Sequence, residues 1–334
     1  MSSSLPLVRK PLKFGYTYSP NDVADAFDPT QLAAQAQLAE TGRFDFIRFT
    51  ERALSGADSE ARTEALTTAS YLATLTRKIG LIAQASTSYY EPFNLARLIA
   101  SLDHVTHGRA GWDVVTGSSR PAQANFSQGE RSAEVHQARA AEVVEILRKL
   151  WDSWEEGAFI RNKATGAYVD GDKIHPIHHD GGLFRIKGPL NVARSPQGHA
   201  VVAQVITDDI AADLAVREAD LILLTIKSPI DLRTEVDSLR ARLAAVGREA
   251  VILAAFTPAA DNGRTIADRI EALAETAQID GVDLHFNAPD ALGKYVAEVV
   301  PELQSRGLLA PEYAGDTLRA HLGLAEPANR YAAA

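Results

Sequence analysis

The chain has 334 residues, 46% hydrophobic and 23% charged, enough for one large α/β barrel or two average domains. A formal net charge of −9 disfavours nucleic acid and anionic membrane surfaces, which call for a basic face. The absence of cysteine excludes disulfides, thiol nucleophiles, and thiolate-zinc or iron–sulfur centres.

Short apolar runs alternate with helical patterns along the chain. Leu12–Tyr18 reads as a first strand and Pro29–Glu40 as a helix stopped by Gly42. Phe44–Phe49 is strand two, followed by a helix over Glu60–Thr76. Ile79–Gln84 is strand three, and Glu91–His107 is a helix with Gly108 as its left-handed cap. Ala110–Val115 is strand four. Ser132–Trp151 is a long helix with Val143, Ile146, Leu147, Leu150 and Trp151 on one face.

The periodicity then breaks over Asp152–Asn191, which is rich in Gly, Pro and Asp and carries IHPIHHDGG. An irregular excursion is expected there, with a hairpin at Lys173–Ile186. The alternation resumes with strands at Ala200–Gln204, Leu221–Thr225, Val251–Phe256 and Val282–Phe286. Helices follow them at Asp208–Arg217, Asp231–Val246, Thr265–Ala277 and Asp290–Val300. Pro301 suits the first turn of a further short helix.

Eight short strands, apolar on both sides and each followed by a helix, point to a (β/α)8 TIM barrel spanning 1–334 as a single domain. An open doubly wound sheet is the competing architecture. Tyr18-Ser19-Pro20-Asn21-Asp22 stands where that fold would place a glycine-rich phosphate turn. No run approaches a membrane span, and MSSSLPLVRKPLK lacks an apolar segment of signal-peptide length. A cytoplasmic location is the expectation.

In a barrel, chemistry belongs at the strand C-termini. Tyr16 and Tyr18 end strand one, as pocket lining or as core packing. Thr87, Ser88 and Tyr89 end strand three; they contact a ligand there or cap the loop before Glu91. Trp112 reads as a stacking platform or a core residue. His175, His178 and His179 invite a metal reading, against an expectation of no metal. Glu51, Asp113, Asp208 and Asp209 form an acid–base set if they converge, with Asp113 and Glu51 the catalytic candidates. Asp208 also fits a helix N-cap.

Four blocks carry a family likeness. They are LIAQASTSYYEPFNLAR (81–97), LDHVTHGRAGWDVVTGSSRPAQANF (102–126), LWDSWEE with FRIKGPLNVARSPQGHAVVAQ (150–156 and 184–204), and VVPELQSRGLLAPEYAGDTLRAHLGL (299–324). In this order they resemble the luciferase-like flavin monooxygenases, in the branch of nitrilotriacetate, EDTA and dibenzothiophene-sulfone monooxygenases. The resemblance implies reduced FMN from a separate flavin reductase, dioxygen, a small organic substrate and a homodimer. It places Thr87, Ser88, Thr116, Gln137, Gln204 and Thr207 against the cofactor, and Tyr16, Tyr18, Tyr89 and Trp112 around the substrate.

The chain departs from the family pattern at the strand ends. Glu51 stands for an aspartate, Asp113 for an asparagine and Gly117 for a serine. Ala133 and Gln137 stand for a histidine and a tyrosine, with His136 beside the latter. After strand five the family's small phosphate-cradling residues become Gln204-Val205-Ile206-Thr207-Asp208-Asp209. The loop after strand seven, Thr257–Arg264, is short. The alternative expectation is therefore a barrel without FMN, acting as a cofactor-free enzyme or a non-catalytic partner subunit.

Overall fold

Strands buried on both faces pair in parallel when helices cross back over them, and this chain supplies a helix after every strand. A computed structural model of the protein describes residues 10–51, 61–116, 120–126, 131–226, 228–259 and 261–332. The barrel strands are β1 (Lys13–Tyr18), β2 (Phe46–Phe49), β3 (Gly80–Ser86), β4 (Ala110–Val115), β5 (Val201–Val205), β6 (Leu221–Leu224), β7 (Val251–Phe256) and β8 (Gly281–His285). Each pairs in parallel with its sequence neighbours, and β8 closes on β1. The open-sheet alternative is thereby removed.

The helices that follow are α1 (Pro29–Thr41), α2 (Ala65–Ala73), α3 (Pro92–Thr106), α4 (Ala133–Asp152), α5 (Asp209–Glu218), α6 (Pro229–Ala245), α7 (Gly263–Ala277) and α8 (Ala291–Glu298). α2 starts later than its pattern suggests, because the Glu64 carboxylate accepts from the Leu66 and Thr67 amides and fixes the N-terminus there. The left-handed cap of α3 is His107, at φ 57°, with Gly108 following at φ +91°. Pro301 lies in the first turn of the short helix Val300–Ser305, as its ring demands. α7 begins soon after β7, so the connection at that mouth is short.

Most apolar residues fill the layer between strands and helices. A second apolar cluster fills the barrel itself: Phe46, Ile82, Val201, Ala203, Leu221, Leu223, Val251 and Leu253, closed from the N-terminal end by Leu318 and Leu322. Gly80 makes room for this plug, since a Cβ there would lie 2.5 Å from Leu318. Gly281 lets β8 approach β1, where a Cβ would meet the Lys13 carbonyl at 1.9 Å.

The excursion between α4 and β5 holds two short hairpins, Phe159–Asn162 with Ala167–Val169 and His179–Asp180 with Arg185–Ile186. The second lies within the hairpin expected at Lys173–Ile186. The first had no apolar alternation to reveal it. Glu142 of α4 anchors the second by accepting the Leu183 and Phe184 amides.

Candidate functional site

The pleat decides which strand residues look into the barrel. On β1 the inward positions are Gly15 and Thr17; on β2, Phe46 and Arg48; on β3, Ile82 and Gln84. On β4 they are Gly111 and Asp113, and on β8, Gly281 and Asp283. Above the apolar floor these make one polar layer. Arg48 Nη1 donates to Asp113 Oδ2 at 2.8 Å, and its Nε donates to Thr17 Oγ1 at 3.0 Å. Gln84 Nε2 donates to the same Asp113 oxygen at 2.8 Å. Asp283 Oδ2 accepts from Thr17 Oγ1 at 2.7 Å, hydrogen-bonds His285 Nε2 at 3.2 Å and lies 3.9 Å from Arg48 Nε.

The same guanidinium thus serves two buried carboxylates. Asp113 and Asp283 are 0% and 1% exposed, and Oδ1 of each has no hydrogen-bond partner. Burial pushes Asp113 above the usual carboxylate range, against the pull of Arg48 and Gln84. Burial acts on Asp283 the same way, but the His285 hydrogen bond, Arg48 and Thr17 outweigh it and hold it below that range. Their surroundings thus drive the two carboxyls in opposite directions.

Glu51 does not join this layer. Its Oε2 accepts the Ala65 amide at the start of α2, and its own amide donates to Gln84 Oε1 at 2.8 Å. Around the end of β3, Thr87 Oγ1 donates to the Val115 carbonyl. Ser88 Oγ and His136 Nδ1 share a hydrogen bond of 2.8 Å. His136, on α4, is 6% exposed with Nε2 unpartnered. Burial, with Arg131 and Arg139 nearby, holds its imidazole below its usual pKa and so neutral at pH 7. Tyr89 stacks on Phe126, with ring centroids 3.6 Å apart. Arg139 ties α4 to this corner by donating to the Thr87 and Tyr90 carbonyls. Thr116, after β4, and Gln137, on α4, are half-buried; Ala133 is exposed. Gly117 lies outside the described residues.

The structure corrects several pocket assignments. Tyr16, Tyr18 and Trp112 sit on the outward face of their strands, in the core between sheet and helices. Tyr16 donates to Asp22 Oδ2 at 2.7 Å, and Trp112 Nε1 donates to the Ala85 carbonyl at 3.0 Å. Gln204 also lies on the outward phase of β5, buried, with Nε2 directed to the Val205 carbonyl. Strands apolar on both faces carry no alternation in sequence, which is why this phase was hidden. In the excursion, His175 pairs with Glu155 and stacks on Tyr331, while His179 lies between Lys149 and Glu142. Among the described residues no three metal-type side chains converge.

At the turn from β5 to α5, Asp208 is the N-cap. Its Oδ1 accepts the Ala211 amide at 2.8 Å, and Thr207 Oγ1 donates to its Oδ2. Asp209 occupies the first turn beside it. A helix N-terminus attracts a phosphate through free amides and its dipole. Here a carboxylate of the chain takes one of those amides, and a second adds like charge.

Sequence reading alone missed Arg48, Asp283, His285 and the Ser88–His136 contact. Arg48 was the one available signal: a lone cation inside the apolar run FIRF of a buried strand needs a buried anion.

The fold and strand-end site define a parallel barrel of the TIM type with a polar C-terminal interior. The family model described as Luciferase-like monooxygenase matches residues 13–316. The chain is 33% identical to N-acetyl-S-(2-succino)cysteine monooxygenase of Bacillus subtilis (strain 168), over 89% of this chain and 90% of that protein. It is 29% identical to nitrilotriacetate monooxygenase component A of Aminobacter aminovorans, over 95% of each. The solved long-chain alkane monooxygenase LadA superposes with a TM-score of 0.88 at 23% identity, covering 94% of this chain and 96% of that one. The chain belongs to the luciferase-like monooxygenase family, whose members are flavin-dependent.

Proposed function

We propose that this protein is a luciferase-like barrel that binds a small organic molecule at its strand C-termini without seating FMN in the family manner. The observation that carries this reading is Asp208, whose carboxylate closes the N-terminus of α5, with Asp209 beside it. Like charges a few ångströms apart cost about 1 kcal/mol in water and several in a drier site. In this reading Asp113 is the acid–base group that meets the ligand, held by Arg48 and Gln84. Thr87, Ser88, Tyr89 and Thr116 form the rim toward α4, and Glu51 organises α2 beside it.

A second reading keeps the family activity: oxygenation of a small organic substrate with reduced FMN and dioxygen, the flavin supplied by a reductase. The identity to two monooxygenases over nine-tenths of their length favours it. Titration with oxidised and reduced FMN separates the two. No binding by folded protein is expected, and Asp208→Ser with Asp209→Ser should gain measurable affinity. Micromolar binding by the unaltered chain would overturn the first reading and restore the second.

A further inference from the structure

We propose that Phe184 and Gly181, on the second hairpin of the excursion, are positioning residues for the ligand rim at Thr87–Tyr90, and that they act through Arg139. The inference rests on that corner being the rim, which both readings above share, and it holds with or without flavin in the mouth.

The first ground is the order of groups along α4. His136, Arg139 and Glu142 follow one another at intervals of three, so each stands beside the next on the helix surface. His136 shares its hydrogen bond with Ser88. About one turn on, Arg139 Nε donates to the Thr87 carbonyl at 2.7 Å and its Nη2 to the Tyr90 carbonyl at 3.1 Å. About one turn further, Glu142 accepts the Leu183 and Phe184 amides and hydrogen-bonds His179 Nε2. The helix thus joins the rim to the hairpin, with Arg139 between them. The second ground is how Arg139 is held. Its guanidinium lies over the Phe184 ring, 4.5 Å from the centroid, and the residue is 5% exposed. The two carbonyls fix the guanidinium along its edge, and the ring fixes it across its face. Those carbonyls bracket Ser88 and Tyr89, so the place of the guanidinium sets the place of both side chains.

The third ground is how the ring itself is held. The hairpin comes so close to α4 that a Cβ on Gly181 would lie 2.3 Å from Glu142 Oε1 and 2.5 Å from His179 Nε2. Oε1 can give way only by releasing the Phe184 amide and the His179 ring. The Gly181 amide also donates to the Phe184 carbonyl at 3.0 Å, which ties the ring to this close approach. The tip of the hairpin, Gly181–Leu183, is exposed. A contact made there reaches the rim through one ring and one cation.

The test is amide hydrogen exchange over residues 87–90 in the ligand-free protein, with the nitrogen NMR signal of His136 Nδ1 as a reading of its bond to Ser88. Phe184→Leu keeps apolar bulk and removes the ring face, whereas Phe184→Tyr keeps the ring. The expected result is exchange about tenfold faster over 87–90 in Phe184→Leu, with a shifted His136 signal, and the values of the unaltered chain in Phe184→Tyr. Gly181→Ala should match Phe184→Leu, and it carries the test if Phe184→Leu does not fold. Exchange in the first hairpin, residues 159–169, should stay the same in every variant. Unchanged exchange over 87–90 in both Phe184→Leu and Gly181→Ala overturns the proposal. So does like behaviour of the leucine and tyrosine variants, which would make the ring mere filling, or a loosening that extends equally to 159–169. The measurement needs no ligand, so FMN titration decides only between the two readings above and leaves this result as it stands.

Discussion

The interior of this barrel has two halves. On β8, β1, β2, β3 and β4 the upper inward positions carry Asp283, Thr17, Arg48, Gln84 and Asp113, bonded into one network. On β5, β6 and β7 they carry only aliphatic side chains. Both halves share the same apolar floor and the same plug of Leu318 and Leu322. The fold therefore sets the floor, and the choice of five inward residues sets the chemistry. A network of this kind is also a liability, because each member is buried and depends on the others.

Removing the one cation of the polar half tests this dependence most severely. Arg48→Met leaves two buried carboxylates without their shared partner, and about 3–5 kcal/mol of stability should be lost. Urea unfolding measures it, and a loss under 1 kcal/mol means that the carboxylates are already neutral in the native protein. The matching cut in the apolar half is Leu223→Ala. It opens a cavity at a 3% exposed site and should cost about 3 kcal/mol. No titratable group of that half is disturbed, so this loss should not vary between pH 5 and pH 8.

The polar half should behave otherwise. Asp283 is held below the usual carboxylate pKa, although burial alone would raise it, by His285, Arg48 and Thr17. Its contribution is present above about pH 4, the unfolded value, and is lost as pH falls through the lower folded value. Asp113, raised by burial, has the opposite sign: its contribution is intact in acid and declines as pH rises. Asp283→Asn should therefore cost about 2 kcal/mol near neutrality, from lost charge-assisted hydrogen bonds. That cost should shrink in acid, where the unaltered carboxyl is also protonated. A difference that grows on acidification contradicts the assignment.

The barrel was legible because each strand is an apolar run bounded by turn residues. β4 and β7 fall where the sequence puts them. The two halves were not legible. In KFGYTY and FIRF, nothing local says whether odd or even positions face the barrel, since both sides are covered. Tyr16 looks like pocket chemistry and is packing, whereas Thr17 beside it belongs to the network. In GVDLH only His285, two residues on, shares a face with Asp283; its other partners, Thr17 and Arg48, come from β1 and β2, some 230 residues away or more. Asp113 was found because a family pattern marked its position, and Asp208 because an acidic residue before a helical pattern is a cap signal.

Asp208 gives the smallest effect and the cleanest division between two roles. As an N-cap, its replacement by alanine should cost about 1 kcal/mol, since the Ala211 amide loses its acceptor. Serine is also a good cap, so Asp208→Ser should keep most of that stability while removing the charge. Thermal unfolding of the two variants side by side reads the cap alone. An anion-binding measurement on Asp208→Ser, with inorganic phosphate as the probe, reads the charge alone. If Asp208→Ser is as stable as the unaltered chain and binds no phosphate, Asp209 and the branched Val205 and Ile206 keep an anion from the turn, and shape counts there as much as charge.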